Sequence, residues 1–251
     1  MTLGGETREV HGVLERKARG IPADTRRKRA EIYGTGLVVL GLAVPDQRKL
    51  LGHDYSFLNE DARSVLAAWN RVFTESPIFE ARSLALIYYE SRLKELVPAA
   101  CWPTLKKWSA GIDNWEHADR LSKIFARLLE IDPERIYPTL ERWNRAKNPW
   151  LRRLSIVSLL CYAALRESVP PAARIFPMVE RLIHDSDLYV QKGVGWTLRE
   201  VGQVYPGETK RFVERHAADL APAAFTSALE KAPKAFREKL KEKRKRQRTA
   251  R

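Results

Sequence analysis

ESPIFEARSLALIYYE (75–90), IDNWEHADRLSKIFARLLE (112–130), KNPWLRRLSIVSLLCYA (147–163) and DSDLYVQKGVGWTLREVG (185–202) can be laid over one another with Ala81, Ala118, Arg153 and Lys192 in register. The successive spacings are 37, 35 and 39 residues, near the two-helix period of HEAT or armadillo units, roughly 40–47 residues. Apolar residues recur three and four apart from Ala62 to Leu229, and no Asn-Gly or Asp-Gly hairpin interrupts them, so helices are expected and strands are not. Prolines such as Pro98, Pro133, Pro149, Pro177, Pro206 and Pro222 punctuate the periodic segments. Because proline cannot continue a helix, the helices should be short and paired. The expectation is an all-α, HEAT-like or armadillo-like helical solenoid whose stacked repeats leave an extended concave face for a ligand.

Charge is the unusual bulk property. The 251 residues carry a formal net charge of +14, with 44% hydrophobic and 30% charged residues, a globular balance whose field attracts polyanions. Eleven Lys or Arg lie from Lys231 onward against Glu238 and Glu242, so the C-terminal stretch holds most of the excess. Three parts are expected: a helical or flexible segment over 1–32, the repeat domain over 33–232, and a disordered basic tail over 233–251. Cys101 and Cys161 stand apart from each other and from any Cys/His cluster, so neither a metal site nor a cofactor is expected. With no signal-like or membrane-spanning stretch, the reading is a monomeric cytoplasmic protein associated with the nucleoid and not with a membrane.

Two exposed faces stand out. In 112–130, Leu121, Ile124, Phe125 and Leu128 form the buried stripe; at about 100° per residue Asp119 falls roughly 160° from it and Trp115 roughly 120°. Being four residues apart, the indole and the carboxylate share a face. In 185–202, Val190, Val194, Leu198 and Val201 make the stripe, and Lys192, Trp196 and Arg199 gather on the opposite side, a pattern suited to stacking beside phosphate contacts. Gly193 and Gly195 flank that face and point to close approach by a neighbouring helix or a ligand. Periodicity does not decide which of Arg152 and Arg153 faces a ligand. Trp69, Trp102, Trp108, Trp143 and Trp150 are assigned to packing, and His117 is read as structural. No phosphate loop, nucleophile elbow or HExxH helix occurs, which removes most familiar enzyme chemistries.

NWEHAD (114–119), NPWLRR (148–153) and YVQKGVGWTLRE (189–200), preceded by VLGLAVPDQRKLL (39–51) with Arg48, resemble the bacterial DNA alkylation repair glycosylases of the HEAT-like superfamily. The likeness covers roughly Tyr33 to Ala232. It implies excision of N3- or N7-alkylated purines from double-stranded DNA, with Asp119 as catalytic carboxylate and Trp115 and Trp196 against the deoxyribose. It also implies that Arg153 anchors a phosphate or holds Asp119, with Arg152, Lys192, Arg199 and Arg48 as further DNA contacts. Family members often place an acidic and an apolar residue between that Trp and Asp, whereas Glu116, His117 and Ala118 stand here. A non-catalytic HEAT-like module that binds branched or damaged DNA is the alternative.

Overall fold

The computed structural model describes residues 3–249. Among them are fourteen α-helices joined by turns and short 3₁₀ segments, and no β-strand beyond one parallel bridge between Val38 and Ile78. No helix among the described residues is long and apolar enough to cross a membrane. The chain forms two compact units, meeting in sequence at Ile124 and Phe125.

The first unit holds α1 (Gly5–Lys17), α2 (Ala23–Tyr33), α3 (Val44–Lys49), α4 (Ala62–Glu75), α5 (Phe79–Glu90), α6 (Pro98–Trp108) and the start of α7 (Trp115–Ile131). Local chemistry sets the boundaries. Asp61 accepts the Arg63 and Ser64 N–H groups at the head of α4, satisfying donors that a helix start leaves open. Phe73 stacks on Trp108 at 4.4 Å, and Trp69 is fully buried beside Phe57. α1 buries Val10 and Leu14 completely, so within the segment expected to be helical or flexible Gly5–Lys17 is a helix packed into this unit.

A buried carboxylate organises the connection ahead of α3. Glu80, on α5, is inaccessible to solvent and accepts N–H groups from Leu40 (2.9 Å), Gly41 (2.7 Å) and Leu42 (3.1 Å). Three donors replace the water that the carboxylate loses on burial. Gly41 sits at φ +85°, and a Cβ there would lie 3.0 Å from Ile21 Cγ2, so both conformation and space require glycine.

The second unit holds the remainder of α7, then α8 (Pro133–Trp143), α9 (Pro149–Val157), α10 (Ala172–Glu180), α11 (Leu188–Val201), α12 (Pro206–Arg215), α13 (Pro222–Ala228) and α14 (Lys234–Thr249). Pro133, Pro149, Pro206 and Pro222 each occupy the first helical residue, where the missing N–H costs nothing. The four aligned stretches of sequence open α5, α7, α9 and α11, so the repeat spacing did mark alternate helices. In α11, a Cβ on Gly195 would lie 2.6 Å from the Ala224 carbonyl oxygen and 2.8 Å from its Cα. The close approach is therefore by α13.

The C-terminal segment corrects the expectation of disorder. Lys234–Thr249 is helical, with Leu240 fully buried and Arg244 nearly so. Arg244 donates to the Ala217 carbonyl and lies 4.6 Å over the Phe225 ring, while Lys243 donates to Glu214 O at 2.9 Å. Phe236, Leu240 and Arg244 recur every four residues, enough to seat one side of a helix otherwise dominated by charge. Arg251 and Ala250 lie outside the described residues.

Candidate functional site

The first turn of α7 is built from Asn114. Its Oδ1 accepts the His117 N–H at 2.9 Å, closing the helix start, and its Nδ2 donates to His117 Nδ1 at 3.0 Å and to Asp113 Oδ1 at 2.8 Å. Since Nδ1 accepts, the ring proton sits on Nε2, which donates to Ser83 Oγ at 2.9 Å. The imidazole is fully buried and burial pushes its pKa down to about 3, so His117 is a neutral brace between α7 and α5. Asp113 in turn accepts from Thr35 Oγ1 and Gly36 N, and hydrogen bonds to these groups and to Asn114 hold its carboxyl below the usual range against the opposing effect of burial.

On this brace stands a half-exposed pair. Trp115 donates its indole N–H to the Ile32 carbonyl at 2.9 Å, which ties the half-buried ring to the end of α2. Trp115, Tyr33, Phe79 and His117 then follow one another as an aromatic column, with centroid separations of 6.2, 4.1 and 4.3 Å. Asp119 lies one turn along α7 and is also half-exposed, whereas Leu121, Ile124, Phe125 and Leu128 are all fully buried. The sequence-derived division of the helix into a core stripe and an outward face holds.

Behind the outward face lies an ionic cluster that periodicity alone did not expose. Arg120 pairs with Glu116 on its own helix and with Glu90 of α5, and Lys123 bonds Glu90 Oε1 at 2.6 Å. Burial raises the Glu116 pKa, opposed chiefly by the attraction of Arg120. Glu90 is held low by Arg120 and Lys123 despite its own burial. Of the three residues between Trp115 and Asp119, His117 bonds α7 to Ser83 of α5, Glu116 bonds Arg120 on its own helix, and Ala118 is fully buried.

In the second unit, α11 presents Trp196 half-exposed, with its ring 5.3 Å from Tyr162 in an edge-on contact. Lys192 is exposed, its Nζ 5.2 Å over the Tyr189 ring. Arg199, half-buried on the same side, bonds Glu230 at 2.5 Å and Glu200 at 3.3 Å, and Glu200 is shared with Arg166 and Lys231. Arg152 likewise forms a fork on Asp185, at 2.5 and 3.0 Å, and donates to the carbonyls of Ala146 and Lys147. Arg153 is buried, donating to the Tyr189 carbonyl at 2.6 Å. Its stem runs beneath Gly193, where a Cβ would stand 3.3 Å from Arg153 Cγ. In the first unit, Arg48 is exposed on α3.

Sequence reasoning missed Tyr33, Ile32 and Glu90, each brought to α7 from a distant helix. Trp69, Trp102 and Trp108 are buried as expected, while Trp143 and Trp150 are half-buried.

A family model described as DNA alkylation repair enzyme matches residues 17–232. A solved structure described as a predicted DNA alkylation repair enzyme from Enterococcus faecalis is similar with a TM-score of 0.67 and 15% identity, covering 84% of this chain and 96% of its own. The structure of smu.31 from Streptococcus mutans UA159 is similar with a TM-score of 0.56 and 15% identity, covering 91% and 98%. AlkD2 from Streptococcus mutans gives 0.54 and 17%, covering 76% and 90%. These likenesses show a shared helical-repeat fold. No curated protein matches the chain.

Proposed function

The chain belongs to the DNA alkylation repair enzyme family, and from that premise we propose that it is a DNA glycosylase hydrolysing the N-glycosidic bond of cationic N3- and N7-alkylated purines in duplex DNA. Its chief support is the outward face of α7, where a carboxylate and an indole stand one turn apart on a rigid, hydrogen-bonded base.

The chemistry asks for few groups. An N3- or N7-alkylated purine carries positive charge, so it departs with the bonding electron pair as a neutral base and needs no general acid. The sugar is left as an oxocarbenium ion, as in glycoside hydrolysis. Asp119 would oppose that charge and align water, whose oxygen bonds to the anomeric carbon while its proton passes to the carboxylate or to solvent. The Trp115 ring would offer an electron-rich face to the cationic sugar, and the resemblance assigns Trp196 to the deoxyribose as well. The brace formed by Asn114, His117 and Ser83 keeps α7 from shifting as charge develops, the role of a preorganised support. Lys192 and Arg48, both exposed, are the cations suited to phosphate contact, with Arg153 as a buried anchor; Arg152 and Arg199 serve the internal pairing of their unit.

The test is release of free 7-methylguanine and 3-methyladenine from methylated duplex DNA, with duplex affinity measured on the same preparation. Release in proportion to enzyme supports the glycosylase. Duplex binding with no base released from any methylated substrate would instead make the chain a non-catalytic binding module.

A further inference from the structure

We propose that α14 is a second, folded contact surface that tracks the phosphate backbone of duplex DNA. The family match ends at residue 232, so the helix is an addition to the region that carries the resemblance. The inference rests on the chain acting on DNA, but not on base excision.

Residues 234–249 contain nine Lys or Arg and only two acids, Glu238 and Glu242. A run of that kind is ordinarily a solvated, mobile arm. Here it is seated: Leu240 is fully buried, Arg244 is held by Ala217 O and the Phe225 ring, Lys243 by Glu214 O, and Lys210 of α12 lies 5.6 Å over the Phe236 ring. Docking consumes the apolar side and leaves Lys234, Lys239, Lys241, Lys245 and Arg246 exposed. Lys234, Lys241 and Lys245 follow one line down the helix, seven and four residues apart.

The few acids in reach of these cations do not neutralise them. Lys241 meets Glu238 at 3.1 Å, Arg246 meets Glu242 at 3.8 Å and Lys239 meets Glu214 at 3.9 Å; surface pairs at high exposure contribute little and screen readily. A helix of this length extends about 24 Å, the axial rise of roughly seven base pairs. An extended row of cations with fixed spacing complements an extended row of phosphates. An anionic membrane is a poorer match, because an interfacial helix inserts its apolar face, and Phe236 and Leu240 are already turned onto the protein. Ordering the helix in advance also removes part of the entropy that a disordered arm loses on binding.

Deletion would remove the anchors at Lys243 and Arg244, so substitution is the cleaner probe. The variant joining Lys239→Gln, Lys241→Gln, Lys245→Gln and Arg246→Gln alters exposed side chains only and keeps good helix formers. A companion with arginine at the three lysines keeps the charge. Affinity for an undamaged synthetic duplex is measured between about 50 and 200 mM salt, where each lost phosphate contact flattens the log–log slope by about 0.9. The glutamine variant should flatten it by about 2–4, so that its loss of affinity across that fourfold range of salt is about 15–250-fold smaller than the wild type's, while the arginine companion matches wild type. Equal slopes for wild type and the glutamine variant, with matched melting curves, would overturn the proposal. So would loss of binding to phosphatidylserine vesicles with an unchanged duplex slope. A wild type that binds no duplex at any salt overturns the DNA reading itself, a failure distinguishable from the other two.

Discussion

The outward faces of α7 and α11 are built on opposite plans. On α7 the exposed pair is backed by hydrogen bonds and ions: Asn114, His117, Arg120, Glu116 and Glu90 fix the helix to α5. On α11 the backing is close packing, with Gly195 pressed to the backbone of α13 and Gly193 opened for the stem of Arg153. The polar plan suits a helix that must hold a carboxylate at a set position, because directional bonds fix rotation as well as distance. On the proposed reading, the packed plan suits a helix that brings a ring and a cation close to a ligand. The difference also teaches that a basic residue on an outward face is no phosphate contact by default, since Arg199 already bonds Glu230 and Arg152 already forks on Asp185.

The sharpest break of the packed plan is Gly195→Val. Its Cβ would meet the Ala224 carbonyl oxygen and Cα, both backbone atoms that cannot rotate away, so α13 must shift and folding stability should fall by about 3 kcal/mol or more. Gly193→Ala probes the same helix two residues earlier, where the nearest atoms belong to the Arg153 side chain. That change should cost less than about 1 kcal/mol, because alanine returns helix propensity as Arg153 adjusts. Denaturant titration of both variants checks the ranking, and equal losses would contradict it.

Acid should break the polar plan first. His117 is neutral in the fold with its pKa lowered from 6.5 to about 3, so the unfolded chain takes up a proton that the folded chain refuses. Its contribution is therefore complete above about pH 6.5 and declines as pH falls toward 3, by a few kcal/mol in total. His117→Gln should flatten stability against pH in that window while lowering stability at neutral pH, and an unchanged profile would show that the ring does not govern it.

Smaller effects separate the two arginine environments from the exposed lysine. Arg152→Met removes a forked bond to Asp185 and two carbonyl contacts, and should reduce stability by about 1–3 kcal/mol with the salt slope of duplex binding unchanged. Lys192→Met should do the reverse, leaving stability within about 0.5 kcal/mol and flattening the slope by about 0.9.

Much of this was legible in the sequence, and the pattern of what was not is physical. The core stripe of α7 followed from 3.6-residue periodicity, and the 35–39 residue spacing found the alternate helices α5, α7, α9 and α11. The glycines of α11 signalled close approach but not by what, because the answer lies in Ala224 of another helix. Ion pairing was invisible for the same reason: nothing local distinguishes Arg199, met by Glu230, from a solvated arginine. Tyr33 and Ile32 reach Trp115 across more than eighty residues. The docking of α14 was misjudged through composition, although Phe236, Leu240 and Arg244 carried a helical spacing that composition ignores.

The most direct measurement is single-turnover excision of 7-methylguanine by wild type and Asp119→Asn, with duplex affinity determined in parallel. The amide keeps the size of the carboxylate and removes its charge. Because Asp119 lies off the buried stripe, the variant should fold normally and bind undamaged duplex as well as wild type or slightly better, a negative charge near phosphates having been removed. Excision should fall by about 10²–10³-fold, or about 3–4 kcal/mol of barrier. A variant that excises at the wild-type rate would contradict the assignment of Asp119 as the group that stabilises the departing sugar cation.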